Sequence, residues 1–379
     1  MLDKVNATRL IVIFHRNLSD THRGQGIYIR RLVSLLSQYF DTYVIDSSGL
    51  HKFGLSDEIP KLDGSFFHDF KKSILSFTRW IITERDKKNT IVLSEDLYIS
   101  VFVIPLSILF SIQTIFRSSD FGLEYRKRLF QQIGIKSKTP PLLMNLTETL
   151  ICKISNLIIV PSSDNRDLMI KSGISADKID IYPYRAYKSN YNPDEIQKFK
   201  QENAMLNKTI VTFIGNMSYR PNLEAAYFII KLAAEYVKGL PDDNIIYIIA
   251  GKNSDHLKKY STSFLRVLGE MNDIGILLNA SDIGLNPSLV PGGSSIKIVD
   301  YLVNGLLVIS TKEGSHGIIK SDRIIVCNRE EFREQIKNFA EKTRNGSFKK
   351  EPIPENITNY YLSDKWGIEI LNKLRKLRQ

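Results

Sequence analysis

Residues 286–317 read NPSLVPGGSSIKIVDYLVNGLLVISTKEGSHG, and they decide which fold the sequence predicts. The stretch predicts, in order, a strand end, a glycine loop, a short helix, an apolar strand and a glycine turn. Ser294 and Ser295 precede the helix and belong to the residue types that cap helix starts. This is the strand–loop–helix–strand pattern of a doubly wound parallel sheet.

The start of this predicted helix carries groups that suit a nucleotide. Gly292 and Gly293 let backbone N–H groups approach a ligand, and free amides at a helix start attract phosphate. Lys297 lies one turn in, and Asp300 follows three residues later on the same helix face. We therefore expect Lys297 to bind a diphosphate and Asp300 to bind ribose, which predicts a nucleotide-sugar site. The alternative is an exposed Lys297–Asp300 ion pair, which would contribute only ~0.3 kcal/mol.

The composition limits the classes of protein to which this chain can belong. The 379 residues are 43% hydrophobic and 25% charged, which indicates a globular chain long enough for two domains. The cysteines, Cys152 and Cys327, are far apart and the six histidines are scattered, so the sequence predicts neither a disulfide framework nor a zinc cluster. A reducing, cytoplasmic location fits this usage.

The net charge of +11 is concentrated in the first half of the chain. Residues 71–88 hold six basic and two acidic residues, and residues 117–153 hold seven and three. Both segments interleave basic with aromatic or aliphatic residues, which favours peripheral contact with anionic lipid at the cytoplasmic face of a membrane. The alternative is an ordinary solvated basic face. Because no nucleic-acid-binding motif is present, we do not expect a nucleic-acid partner.

Residues 97–116 carry no charge, which raises the possibility of a membrane-dipping helix. Pro105 and several polar residues interrupt the run, so we predict a buried helix followed by a strand instead.

Strands and helices alternate along the chain, with one polar interruption. Such alternation predicts parallel sheets covered by helices on both faces, hence an α/β fold with two doubly wound Rossmann-like domains facing across a cleft. The predicted domains are residues 1–187 on the acceptor side, a linker at 188–207, a nucleotide-sugar-binding domain at 208–355, and a C-terminal helix at 356–379 that packs on the first domain.

Three passages of the second half resemble glycosyltransferase family 4, the retaining enzymes of the GT-B fold (glycosyl transferases group 1). The sequence FIGNM at 213–217 with RPN at 220–222 resembles the opening of the family's second domain. ASDI at 280–283 with PS at 287–288 resembles a following step, and 293–317 resembles the family's glycine–lysine–acid run. In the first half, 158–179 and Gly24-x-Gly26 match more loosely.

This resemblance implies roles for named residues. The expected donor-binding residues are Gly215, Asn216, Arg220, Gly269, Met271, Gly292, Gly293, Ser294, Ser295, Lys297 and Asp300. The expected catalytic residues are Asp120, Arg220 and Lys297. The expected acceptor-side residues are Gly24, Gly26, His15 and Arg117.

The resemblance also implies an activity. It is transfer of a sugar, with retention, from a nucleoside-diphosphate sugar to a glycan acceptor in polysaccharide or glycoconjugate assembly. The basic, aromatic first half suggests that this acceptor is lipid-linked. Because the sequence contains no Asp-x-Asp motif, we expect no metal and no cofactor beyond the donor substrate.

The sequence departs from the family pattern at several positions. Gly292 stands where many members have a first glutamate, Asp300 replaces the longer second one, and Asn216 occupies the usual arginine position. Ser119 replaces a first-domain histidine. These changes keep two alternatives open: a catalytically degenerate binding or partner subunit with the same fold, and a sugar-nucleotide epimerase of that fold.

Overall fold

The computed structural model describes residues 9–13, 32–46, 49–52, 66–84, 87, 89–132, 139–184, 186, 188–238, 244–290, 295–347, 349–363 and 365–376. The chain divides into two compact units. Unit 1 comprises residues 1–183 and 364–379, and unit 2 comprises residues 184–363. Residues 188–207, the predicted linker, fall within unit 2 and contain a helix.

Unit 1 is built on a seven-stranded sheet with the order β3-β2-β1-β4-β5-β6-β7. All neighbouring pairs are parallel except β2–β3, so β3 is an antiparallel edge strand. The strands are β1 Arg9–Ile13, β2 Asp41–Asp46, β3 Gly49–Lys52, β4 Thr90–Glu95, β5 Gln113–Arg117, β6 Leu157–Val160 and β7 Ile179–Ile181.

The helices of unit 1 include its C-terminal segment. They are α1 (described at residues 32–36), α2 Phe66–Thr83, α3 Leu97–Leu109, α4 Leu123–Gln132, α5 Thr139–Ile154, α6 Ser163–Lys171 and α13 Lys365–Lys376. The helix α13 is fixed to unit 1 by Lys373, which pairs with Asp180 and donates a hydrogen bond to the backbone carbonyl of Asp177 at 3.1 Å. Of the segment 356–379 that was predicted to pack on the first domain, residues 364–379 belong to unit 1 and residues 356–363 belong to unit 2.

Residues 97–116 form a helix and a strand, as predicted, but the helix is not fully buried, since Phe102 and Leu109 are exposed on its outer face. Asp96 caps α3 by accepting a hydrogen bond from the Tyr98 amide at 3.3 Å, and Pro105 is accommodated inside the helix. The strand β5 follows and is buried between β4 and β6. Within the described residues, no helix is both long and apolar enough to cross a membrane.

Unit 2 is built on a six-stranded parallel sheet with the order β10-β9-β8-β11-β12-β13. Its strands are β8 Thr209–Ile214, β9 Ile245–Ala250, β10 Leu265–Gly269, β11 Ile283–Asn286, β12 Leu307–Ser310 and β13 Ile324–Val326. Its helices are α7 Pro193–Glu202, α8 Arg220–Lys238, α9 Gly275–Ala280, α10 Ile296–Val303, α11 Phe332–Arg344 and α12 Glu355–Tyr361.

The strands of unit 2 form its core because their side chains are apolar on both faces. β8 and β9 are buried along their whole length, as expected of central parallel strands that helices cover on each side. The chain crosses from β8 to β9 and β10 on one side, then returns to β11 on the other. The order of strands therefore reverses between β8 and β11, which sets the position of the site.

Candidate functional site

The carboxyl ends of β8 and β11 lie side by side at the centre of the unit 2 sheet. The loops that leave them diverge because the order of strands reverses at this point, and doubly wound sheets bind ligands in the resulting crevice. The loop after β8 carries Gly215 and Asn216, and the loop after β11 leads into α10. Gly292, Gly293 and Ser294 belong to this second loop but lie outside the described residues.

Lys297 is the charged group at the start of α10, and it is half-buried. Its Nζ donates a hydrogen bond to the Asn222 Oδ1 at 2.7 Å and lies 4.4 Å from the ring centroid of Phe213. Within the described part of the chain, no ion pair includes Lys297, so the alternative of a Lys297–Asp300 pair is not formed. A half-buried ammonium with no carboxylate partner among the described residues is suited to bind an anion.

Burial also changes the protonation of Lys297. Removal of the ammonium from water lowers its pKa to about 7. A neighbouring anion favours the charged form, so a bound diphosphate would raise this pKa again. The affinity of Lys297 for an anion therefore depends on pH around neutrality.

Asn222 links Lys297 to the loop after β8. Its Nδ2 donates to the backbone carbonyl of Asn216 at 3.0 Å, while its Oδ1 accepts from Lys297. The Asn216 side chain in turn accepts from the backbone amide of Ser218 at 2.9 Å. Asn222 was not predicted as a site residue, although it lies in the Arg-Pro-Asn motif that carried the resemblance.

Three strand ends of unit 2 approach one another through glycines. Gly251 has φ +128°, and a Cβ built on it would lie 2.2 Å from the Gly215 carbonyl oxygen, so a side chain cannot fit there. The Gly251 amide donates to the Gly269 carbonyl at 2.8 Å. Met271, a predicted donor-binding residue, follows Gly269 by two positions and is half-buried. The predicted residues Gly215 and Gly269 thus lie at the carboxyl ends of β8 and β10, on either side of β9, at one edge of the sheet.

Arg220 begins α8 and points into solvent at the same edge. Its Nε donates to the Glu224 Oε1 at 2.9 Å, and the two side chains are 62% and 46% exposed. An exposed pair of this kind contributes only ~0.3–0.5 kcal/mol, so a phosphate competes for the guanidinium at little cost.

Ser295 stands at the N-cap position of α10, but its side chain makes no capping bond. Its Oγ instead accepts a hydrogen bond from the Asn286 Nδ2 at 3.1 Å, and the same amide group donates to the Gly314 carbonyl at 2.8 Å. The buried Asn286 Oδ1 has no hydrogen-bond partner among the described residues. Asn286 therefore joins three segments of the site, a role that the sequence analysis did not predict.

Tyr301 anchors α10 beneath the sheet. Its buried hydroxyl accepts a hydrogen bond from the backbone amide of Ile214, the last residue of β8, at 2.9 Å. Its ring lies against Gly284 of β11, where an added Cβ would be 2.3 Å from a ring carbon. The predicted ribose ligand Asp300 precedes Tyr301 and is half-buried. These contacts fix Lys297 and Asp300 relative to β8.

In unit 1, Arg117 and Asp120 follow β5 but differ in exposure. Arg117 is 1% exposed and forms an ion pair with the equally buried Glu95, the last residue of the neighbouring strand β4. Asp120 is half-buried and accepts a hydrogen bond from the Tyr125 hydroxyl at 3.3 Å. His15, Gly24 and Gly26 lie outside the described residues.

A second buried network supports the segment that carries Asp120. The Glu148 carboxylate of α5 accepts from the Ser118 hydroxyl at 2.8 Å and pairs with Arg126 of α4. Burial raises the pKa of Glu148 despite these partners. The segment after β5 is therefore tied to α4 and α5.

Comparisons with known proteins agree with this architecture. Residues 208–342 match the family model described as glycosyl transferases group 1, which confirms that resemblance over the second unit; assignment to family 4 stays a prediction. No curated protein matches the chain significantly.

Solved structures with the same fold cover nearly the whole chain. HepE of Anabaena, in complex with UDP and glucose, has a TM-score of 0.70 at 13% identity and covers 98% of this chain and 100% of its own. Sucrose-phosphate synthase of Thermosynechococcus elongatus has a TM-score of 0.74 at 12% identity, covering 98% and 99%. WaaG, a glycosyltransferase involved in lipopolysaccharide biosynthesis, has a TM-score of 0.61 at 12% identity, covering 93% and 99%.

Proposed function

We propose that the chain is a glycosyltransferase: unit 2 binds a nucleoside-diphosphate sugar, and the chain transfers its sugar to a glycan acceptor. The observation that carries this proposal is the half-buried Lys297, which has no carboxylate partner among the described residues and lies at the reversal of strand order. HepE, which shares the fold, was solved with UDP-glucose, a donor of the proposed class.

The proposed chemistry is a displacement at the anomeric carbon. The bond between that carbon and the diphosphate oxygen breaks, and a bond to the acceptor oxygen forms on the same face of the sugar, which retains configuration. The acceptor proton passes to the leaving phosphate oxygen. Lys297 and Arg220 stabilise the charge that develops on the diphosphate, so the step needs neither a metal nor a nucleophile from the protein.

We assign acceptor recognition to unit 1, with Asp120 as its candidate catalytic group. The concentration of basic and aromatic residues in the first half of the chain supports an acceptor carried on an anionic lipid, such as a polyprenyl diphosphate oligosaccharide. Such an acceptor places the enzyme at the cytoplasmic face of a membrane, in polysaccharide or glycoconjugate assembly.

The first experiment tests which nucleotide sugar the chain binds. A panel of nucleotide sugars is screened by thermal shift, since a ligand at 100 times its Kd stabilises the native state by about 2.7 kcal/mol. The donor that raises the Tm is then supplied in radiolabelled form with lipid-linked acceptors, and labelled product is measured. Binding without transfer or hydrolysis would overturn the enzyme proposal in favour of the degenerate binding subunit.

Donor binding is expected to consume a proton above neutral pH. Lys297 has a pKa of about 7 in the free protein, and the diphosphate raises it, so binding at pH 8 takes up a proton and binding at pH 6 does not. Affinity should therefore fall as pH rises from 7 to 9. Calorimetry in buffers with different ionisation enthalpies measures the number of protons, and Lys297→Arg, which stays charged at pH 8, should remove the uptake.

A further inference from the structure

The outer face of α3 is an uninterrupted apolar stripe. Tyr98, Phe102, Pro105 and Leu109 are all exposed, and their spacing of four, three and four residues places them on one side of the helix. Leu109 is 76% exposed. The helix contains no charged residue, and the Tyr98 hydroxyl is the one polar side-chain group among these four residues.

The neighbouring helix α5 repeats this arrangement. Leu142, Leu146, Leu150 and Ile154 recur every fourth residue, and Leu143 adjoins them at 63% exposure. The acid on α5, Glu148, points inward to its buried partners, and Lys153 lies at the end of the stripe. The two helices contact each other, so their stripes adjoin. We call the exposed residues of these two stripes the apolar face.

This concentration is unusual within the molecule. Of the twenty large apolar side chains that are exposed among the described residues, eleven lie on α2, α3 and α5. Soluble proteins rarely leave such residues clustered unless the cluster contacts a partner or a membrane.

Basic helices border the apolar face on two sides. The helix α2 contacts α3, and its exposed side alternates Lys71, Leu75, Arg79 and Ile82. The helix α4 contacts α5 and carries the exposed Arg128, together with Lys127, which pairs with Glu124 at 2.6 Å. An apolar centre with a basic border is complementary to the surface of an anionic bilayer, where acyl chains lie beneath negative headgroups.

We propose that the apolar face and its basic border dock unit 1 onto an anionic lipid bilayer. The charge excludes the other simple occupant, a second copy of this chain, because pairing two such faces would oppose basic borders of like sign. The purpose of this docking rests on the proposed function. Docking would hold the acceptor side of the enzyme against the membrane that contains a lipid-linked acceptor.

The experiment is flotation of the full chain with vesicles, without donor or acceptor. We expect binding to vesicles that mix phosphatidylcholine with phosphatidylglycerol, little binding to phosphatidylcholine alone, and weaker binding at high salt. Lys71→Gln with Arg79→Gln should weaken binding about 25-fold, since each basic residue near the surface contributes about fivefold. Leu109→Ser with Leu143→Ser should weaken it by at least about tenfold.

Matched controls separate docking from general effects. Ile368→Ser removes an exposed apolar side chain from α13, and Lys198→Gln removes an exposed charge from α7; neither should alter flotation. Unchanged flotation of the α2, α3 and α5 variants, or equal binding to neutral vesicles, would overturn the proposal. So would a concentration-dependent dimer that the Leu109→Ser, Leu143→Ser variant dissociates, because the face would then bind a second copy.

The result of the flotation experiment does not depend on the proposed function. The donor-induced thermal shift belongs to unit 2 and should be the same in all these variants. Flotation without a donor-induced thermal shift would support the docking surface and reject the donor site. A donor-induced thermal shift without flotation would support the donor site and reject the docking surface.

Discussion

Lys297→Ala is expected to raise the Kd for the nucleotide sugar by about 10- to 150-fold, the effect of removing one charge-assisted hydrogen bond. The variant loses the ammonium that donates to Asn222 and lies over the Phe213 ring, while the fold around it is held by Tyr301 and Asn286. Stability should fall little or rise, since a desolvated ammonium opposes folding. Calorimetric titration and the Tm without ligand measure the two effects separately.

Lys231→Ala is the matched control for this prediction. Lys231 lies on α8 of the same unit, is 77% exposed and forms a loose pair with Glu235 at 3.6 Å. Its removal takes away the same charge at a distance from the strand reversal, so the Kd should not change. A Lys297→Ala protein that binds the donor as tightly as the native chain would refute the assigned diphosphate site.

Arg117→Leu is expected to destabilise unit 1 by about 3–5 kcal/mol, because it leaves the Glu95 carboxylate buried without its counterion. Glu95 and Arg117 are the last residues of adjacent strands, and the strand register places them opposite each other. Urea unfolding measures the loss. Glu95→Leu combined with Arg117→Leu should recover most of it, since apolar residues replace both charges.

The paired variant also tests what Arg117 does. We expect it to keep donor binding and transfer, because the guanidinium is enclosed and held by Glu95 rather than presented to an acceptor. If the paired variant is stable but transfers no sugar, Arg117 contributes to acceptor recognition as the sequence suggested. If Arg117→Leu alone is as stable as the native chain, the buried pair has no structural role.

The sequence predicted best those helices and strands whose hydrophobic pattern alone determines the secondary structure. Residues 97–116 form the predicted helix and strand, because the apolar run and the residues that interrupt it are local signals. By contrast, β3 has the polar sequence GLHK and forms only through pairing with β2. The helix α4 carries as many charged as hydrophobic residues and likewise depends on its neighbour α5.

The candidate site likewise contains residues that local sequence predicts and residues that it does not. The residue types around α10 predicted an anion site because glycines and a lysine at a helix start are local signals. The partner of Lys297 lies 75 residues away in Asn222, and no local pattern specifies such a contact. Arg117 was predicted as a site residue from its place at a strand end, yet burial with Glu95 depends on the register between two strands.

The contact of Tyr301 with Gly284 and Ile214 has a consequence for sequence change over time. A larger residue at 284 would collide with the ring, and a shorter one at 301 would leave the Ile214 amide without its acceptor. A change at either position is tolerated only with a compensating change at the other. Positions 284 and 301 should therefore covary among natural relatives. This covariation would indicate that α10 keeps its position against the sheet, even in relatives that have replaced Lys297.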